Sequence, residues 1–260
     1  MTQSERRLFL IQALFREMPE YSSINIPTSE QEQKILLRSL LNIRMPRPVS
    51  QEFLAVQDVY LQTETAQKGI TDVSSLTPIR KGIYLWQGDI TTLRCDAIVN
   101  AANSRMLGCF VPCHGCIDNA IHTFAGVQLR LACAELMERQ GREEETGKAK
   151  ITPAFNLPCQ YVLHTVGPIV YGRLTRREEQ QLASCYRACL ELAGQNGIKT
   201  IAFCCISTGE FHFPPNRAAE IAVQTVKNYQ LNTHNKIEVI FNVFKKTDYT
   251  IYRKLLRADL

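Results

Sequence analysis

From Gly82 onward, short apolar runs rich in β-branched residues alternate with longer helical runs, and this alternation constrains the fold more than any other feature. The short runs are "GIYLWQGDI", "DAIVNAAN", "QYVLHTVG", "KTIAFCCIST" and "KIEVIFNVF". The helical runs are "IDNAIHTFAGVQLRLACAELMERQG", "RREEQQLASCYRACLELAGQNG", "NRAAEIAVQTVKNYQL" and "TDYTIYRKLLRA". Strands that are apolar on both faces and separated by helices imply an α/β fold, a largely parallel sheet with helices packed on each side. In such sheets ligands bind beyond the carboxyl ends of the strands. The polar strand ends "QGDIT", "NAANS" and "STGEFHFP" are therefore expected to converge on one crevice.

Residues 1–80 follow a different pattern. "TQSERRLFLIQALFREM" has helical periodicity, and "TSEQEQKILLRSLLNI" opens with Ser29 and Glu32 at capping-box spacing. Pro46 and Pro48 end that run, and "SQEFLAVQDVYLQTETAQKG" gives a third helix that stops at Gly69. "ITDVSSLTPIRKG" reads as a linker, so a helical N-terminal extension (1–80) is expected before an α/β domain (81–260).

A chain of 260 residues with 45% hydrophobic and 21% charged residues can bury a large core. No run approaches the ~18–20 apolar residues of a membrane span. Arg6 and Arg7 precede an apolar patch as in a signal peptide, yet Gln12, Arg16 and Glu17 interrupt it and no small-residue cleavage site follows. An amphipathic helix, and a soluble cytoplasmic protein without membrane contact, is the expectation. Residues 1–80 carry 9 Lys/Arg and 9 Asp/Glu, so the net charge of +5 belongs to the rest of the chain. That excess suits an anionic ligand, and without a Lys/Arg run interleaved with aromatics no nucleic-acid partner is expected.

The ten cysteines are unevenly spread. Cys95, Cys133, Cys185, Cys189, Cys204 and Cys205 lie in apolar or helical runs, where cysteine acts as a small hydrophobe; Cys159 beside Pro158 carries no signal. In "MLGCFVPCHGC", by contrast, Cys109, Cys113, His114 and Cys116 fall within eight residues. Reduced thiols clustered this way point to metal or catalysis rather than disulfides. A closed structural site needs four ligands, whereas a catalytic one keeps a position open. Asp118 follows two residues later near a helix start, either as a plain N-cap or as a carboxylate that reaches whatever the cluster holds. His122, one turn on, reads as a satisfied structural histidine, and His164 and His212 have no evident partner. Ser207-Thr208-Gly209 is a phosphate cradle by type without the lysine of a P-loop, or an ordinary tight turn. Asp89 could accept from an exocyclic amine or cap a turn, and Asn100 and Asn103 could bind sugar hydroxyls or satisfy loop backbone.

Seven motifs in order, "QGDIT", "DAIVNAANS", "DNAIHTFAG", "TGKAKIT", "NLPCQYVLHTVGP", "CISTGEFHFP" and "AAEIAV", resemble macrodomains, which bind ADP-ribose, over about residues 82–256. The chain is most similar to the zinc-dependent macrodomains, ADP-ribosyl hydrolases with a helical N-terminal extension; the zinc-free hydrolases have a glycine-rich stretch where this chain has "GCFVPCHGC". The resemblance implies a three-layer α/β/α macrodomain with a mixed, mostly parallel sheet. It implies that Asp89 takes the adenine amine, with Ile90 beside it and Phe244 as a further adenine-side contact. Ser207, Thr208, Gly209, Glu210 and Phe211 would cradle the diphosphate, mainly through backbone, and Asn103 would face the distal ribose. Asp118 and Asn103 would be catalytic. One zinc per chain would be held by Cys109, His114 and Cys116 in a Cys-x4-His-x-Cys pattern, with Cys113 a bystander.

The activity so implied is removal of mono-ADP-ribose from modified protein, through an ester or carboxylate linkage placed by a sirtuin-like transferase, with a lipoyl-carrier protein as a candidate partner. The alternative is a non-catalytic ADP-ribose reader with a structural zinc. A pure zinc knuckle for protein interaction would leave the remaining motifs unexplained. For the extension, a packing cap and a partner-docking element both stand as expectations.

Overall fold

The computed structural model describes residues 1–233 and 236–257, so the last residue of the run "TDYTIYRKLLRA", Ala258, lies outside the described residues. The N-terminal segment folds into α1 (Gln3–Glu17), α2 (Glu30–Ile43) and α3 (Gln51–Lys68). Each start is side-chain capped. Thr2 and Glu5 form a reciprocal capping box, and Ser29 and Ser50 accept from the N–H groups of Glu32 and Phe53. The apolar faces close on each other through Leu10, Leu14, Leu37, Leu40, Phe53 and Leu61, joined by Val127 from beyond the extension.

The stretch that read as a linker contains a short strand, β1 (Thr71–Asp72), which pairs in parallel with β3 (Leu93–Arg94). The main sheet has six strands in the order β2 (Ile83–Gln87), β8 (Glu238–Val243), β7 (Thr200–Phe203), β4 (Ala97–Ala102), β6 (Tyr161–Val166) and β5 (Ala149–Pro153). All neighbours run parallel except β5 and β6, so the sheet is mixed and mostly parallel as expected. The edge strand β5 was not among the expected strands. "AKITP" buries only Thr152 and carries a terminal proline, which suits an edge position and masks the apolar signal.

Helices α6 (Arg176–Gln195), α7 (Pro215–Asn232) and α8 (Lys246–Arg257) form one layer over the sheet, and α4 (Ile117–Ala125) and α5 (Val127–Gln140) form the other. The last two were expected as one helix. Gly126 separates them at φ +94°, and a Cβ there would lie 2.6–3.0 Å from side-chain atoms of Gln128, Gln57 and Asn156. The extension completes the break, since Gln57 Oε1 in α3 accepts from the N–H of Val127 at the start of α5 (2.9 Å). Extension helices α2 and α3 both pack against α4.

Among the described residues no helix is long and apolar enough to cross a membrane. Parallel pairing sends the carboxyl ends of β2, β4, β7 and β8 to one edge of the sheet. That edge carries Asp89, Asn103, Ser207 and Phe244 into the loops that follow.

Candidate active site

After β2, Asp89 caps a short helical turn, and its Oδ1 accepts from the N–H and hydroxyl of Thr91 (3.0 and 2.6 Å). Its Oδ2 faces Lys68 Nζ from the last turn of α3 (3.2 Å). Burial works against its ionisation, but the Thr91 hydrogen bonds and the Lys68 ammonium outweigh it and hold the carboxyl below its usual range. The cap uses Oδ1 and leaves Oδ2 with accepting capacity, so capping does not exhaust the carboxylate. Ile90 is buried, and Phe244, which follows β8, is 76% exposed. The Phe244 carbonyl accepts from Gln87 Nε2 (3.2 Å), which ties the backbone after β8 to the end of β2.

After β7 the chain enters a tight loop. Ser207 is 5% exposed and holds φ +64°, and its carbonyl accepts from the N–H of Phe213 (2.9 Å). A Cβ on Gly167 would lie 2.0 Å from Ser207 Oγ, so glycine is required where the β6 loop passes. The Phe211 carbonyl is tied to the N–H of Val170 (2.9 Å) and the Gly209 carbonyl to the N–H of His212 (3.0 Å). The N–H groups of Gly209, Glu210 and Phe211 donate to no main-chain carbonyl of the described residues. Successive free N–H groups in such a turn make a concavity that suits an anion.

After β4 the polar residues converge on Asp118, which is 5% exposed. Asn100 Nδ2 donates to Asp118 Oδ1 (2.8 Å), and Asn103 Nδ2 donates more weakly to Oδ2 (3.3 Å) and to the Gly108 carbonyl (3.1 Å). Asp118 is not the cap of α4; Cys116 is, its Sγ accepting from the N–H of Asn119 (3.4 Å). Asp118 is thus in the first helical turn, where the dipole favours its anion. Burial nevertheless pushes its pKa up to about 6, against the pull of Asn100, Arg130 and Asn103. Asn100 is itself fully buried, so it orients Asp118 rather than reaching a sugar.

The histidines differ from expectation. His164 is fully buried, with Nδ1 3.2 Å from Asn100 Nδ2 and Nε2 2.9 Å from Thr152 Oγ1. Burial lowers its pKa to about 4. His122, expected to be satisfied, has no hydrogen-bond partner at either ring nitrogen, and its Nε2 stands 3.5 Å from Asp118 Oδ1. Burial, with His164 and Arg130 adding to it, keeps His122 neutral, so the contact with Asp118 is not an ion pair. A cavity of about 10 Å³ beside His122 is at the limit of what holds one water.

Cys109, His114 and Cys116 each offer a donor atom, all within 4.8 Å of one another. Three observations fit a zinc ion. Two thiols and an imidazole are a common zinc donor set. His114 Nδ1 is buried without a partner, an orphaned nitrogen of the kind a metal satisfies. Cys109 and Cys116 are half-buried and free of disulfides, so both sulfurs are available as ligands. Cys113 is outside this group. Its Sγ lies 3.3 Å from Ser39 Oγ and donates to the Ile35 carbonyl (3.5 Å), both on α2. A second group, His122, Cys133 and His164, also falls within 4.8 Å but fits a metal less well. The His164 nitrogens already have partners, and the Arg130 charge acts on His122. His114 Nε2 stands 3.8 Å from Glu210 Oε1, so the donor loop and the turn after β7 face each other.

Sequence reasoning missed Asn119, Arg38 and Lys68. Asn119 Nδ2 donates to the carbonyls of Cys109 (3.4 Å) and Val111 (3.0 Å), and Arg38 Nη2 donates to Asn119 Oδ1 (2.8 Å). Asparagine in the first turn of a helix beside a cysteine loop is the signal that could have found the first; the others act across long sequence separations.

The Macro domain family profile matches residues 99–222. A protein-ADP-ribose hydrolase of Treponema medium is 58% identical, over 98% of this chain and all of that protein. A protein-ADP-ribose hydrolase of Staphylococcus aureus (strain MSSA476) is 48% identical, over 96% of this chain and 95% of that one. The crystal structure of a Trypanosoma brucei macrodomain in complex with ADP-ribose superimposes with TM-score 0.66 at 29% identity, over 88% of this chain and 97% of that one. By sequence and by fold, the chain belongs to the macrodomain family.

Proposed function

We propose that this macrodomain is a protein-ADP-ribose hydrolase that releases mono-ADP-ribose from modified proteins with the help of one zinc ion. The observation that carries the reading is the buried Asp118 carboxyl, held by two asparagine amides and adjoining a three-donor loop that faces the anion-binding turn. Relatives that align over 95–100% of their length and bear the hydrolase name support the activity.

In this reading Asp89 accepts from the adenine amine beside Ile90 and Phe244 stacks on the base, while the N–H groups of Gly209, Glu210 and Phe211 bind the diphosphate, with Ser207 and Thr208 shaping the turn. Asn103 faces the distal ribose, and Asp118 takes the proton of the attacking oxygen at its Oδ2. That atom has the weaker of the two amide donors and is the freer. Asn100 fixes the carboxyl plane and leaves Asp118 one orientation. Cys109, His114 and Cys116 would hold the zinc ion, which would supply Lewis acidity and positive charge. An ester-type linkage, a sirtuin-like transferase as the source of the modification and a lipoyl-carrier acceptor complete the proposal; they rest on the resemblance to zinc-dependent macrodomains alone.

The test is release of ADP-ribose from an auto-modified carrier protein by native protein and by Asp118→Ala. Turnover by the native protein and its loss in the variant support the hydrolase. Tight ADP-ribose binding without turnover by the native protein would overturn it in favour of a reader.

A further inference from the structure

The loop from Gly108 to Cys116 forms no helix or strand, yet it must bring three donors together. It is tied down largely by α2 of the extension. Arg38 Nη2 donates both to the His114 carbonyl (3.0 Å) and to Asn119 Oδ1 (2.8 Å). Asn119 in turn reaches the Cys109 and Val111 carbonyls through Nδ2 and the Cys116 sulfur through its N–H. One arginine thus touches the histidine donor's backbone directly and both cysteine donors through a single intermediary. One turn on, Asn42 Oδ1 accepts from the N–H of Cys113 (2.9 Å), while its Nδ2 donates to Thr123 Oγ1 in α4 (2.9 Å). Cys113 holds φ +53°, a conformation a non-glycine residue keeps only when its surroundings impose it.

The spacing of α2 explains why it can do this. Leu37, Leu40 and Leu41 are buried in the extension's own core, which fixes the helix. Arg38 and Asn42, four apart and therefore on one stripe, are left to face the donor loop.

We infer that α2 is a positioning element for the metal donors, with Arg38 and Asn42 holding residues 109–116 in the conformation that gathers Cys109, His114 and Cys116. This rests on the zinc reading above and deepens it. Metal affinity then depends on Arg38 and Asn42 of α2, whereas ADP-ribose affinity does not, because among the described residues neither side chain bonds to the adenine or diphosphate loops. A preformed donor loop need not be ordered by the metal, and groups that orient metal ligands typically contribute ~10–100-fold to affinity.

The test is zinc affinity of the full chain by competition with a chromophoric chelator, for native protein, Arg38→Ala, Arg38→Lys and Asn42→Ala. ADP-ribose calorimetry and far-UV circular dichroism are run on the same samples. The expected result is zinc affinity weakened ~10-fold or more in both alanine variants. Arg38→Lys recovers part of the loss, because an ammonium can serve one of the two acceptors. ADP-ribose affinity and helicity stay near native values. Unchanged zinc affinity in both alanine variants overturns the positioning role and leaves the zinc reading intact. So does a loss that runs in parallel with ADP-ribose affinity and helicity, which would mark general unfolding. A native chain that binds no zinc overturns both.

Discussion

At the residue scale, Asp118 shows how far pattern reading reaches. Its neighbourhood to the cysteine cluster was visible in the sequence, but its setting was not. The amide that orients it, Asn100, lies in an apolar strand where a polar residue carries no signature of its partner 18 positions away. Asp118→Ala is expected to lower ADP-ribose release by ~10²–10⁴, the usual range for a positioned acid or base. ADP-ribose affinity, measured by calorimetry, should change little, because the adenine and diphosphate contacts are elsewhere. Cys113 stands outside the ligand pattern that the resemblance implies, and its Sγ lies against Ser39 and Ile35 of α2. Cys113→Ser keeps a donor for those partners, so metal analysis should still find one zinc per chain; loss of the metal would make Cys113 a ligand.

Buried histidines at this scale also set a pH dependence. His164 has its pKa lowered to about 4 by burial and His122 is displaced in the same direction, so below the ordinary value of 6.5 the unfolded chain binds protons that the native one refuses. Stability conferred by these groups is therefore fully present above pH 6.5 and falls as pH drops from 6.5 towards 4. Each histidine contributes a limiting slope of about 1.4 kcal/mol per pH unit. Asp118 opposes them, because its folded value of about 6 lies above its ordinary 3.8 and the native state gains a proton there first. Two histidines outweigh one carboxyl. The melting temperature should fall between pH 6.5 and pH 4.5, and His164→Gln should show a shallower fall, read by calorimetric melts across that range.

At the element scale, all five expected strands and the three N-terminal helices are present, because each had either β-branched apolar runs or side-chain caps to mark it. What escaped were elements defined by partners rather than by their own composition. These are the edge strand β5, the short pair β1–β3, and the break between α4 and α5 that α3 stabilises from a distance. The loop between β4 and α4 depends on one glycine in the same way. Gly108 holds φ +79°, and a Cβ there would lie 2.8 Å from the buried His122 ring. Gly108→Ala combines backbone strain with a clash and should cost about 1–3 kcal/mol in denaturant unfolding. The same variant should weaken zinc binding, because the donor loop starts at this residue.

At the scale of the whole molecule, the two hydrophobic cores lie apart from the proposed chemistry. The main core is built on strands β4, β6, β7 and β8, the smaller one on α1 to α3, and neither includes Cys109, His114 or Cys116. The zinc expected at those donors would therefore close a surface loop rather than nucleate the fold, unlike small domains that unfold without their metal. Chelator treatment should accordingly abolish ADP-ribose release while the cooperative thermal transition remains, and added zinc should restore turnover. ADP-ribose affinity should survive stripping within a few-fold, since Asp89 and the 207–211 turn are held by their own hydrogen bonds. If stripping instead collapsed the transition, the donors would be structural and the hydrolase would have to work through Asp118 alone. If release continued unchanged without metal, the cysteine loop would have no part in the chemistry, and its placement opposite Glu210 would need another explanation.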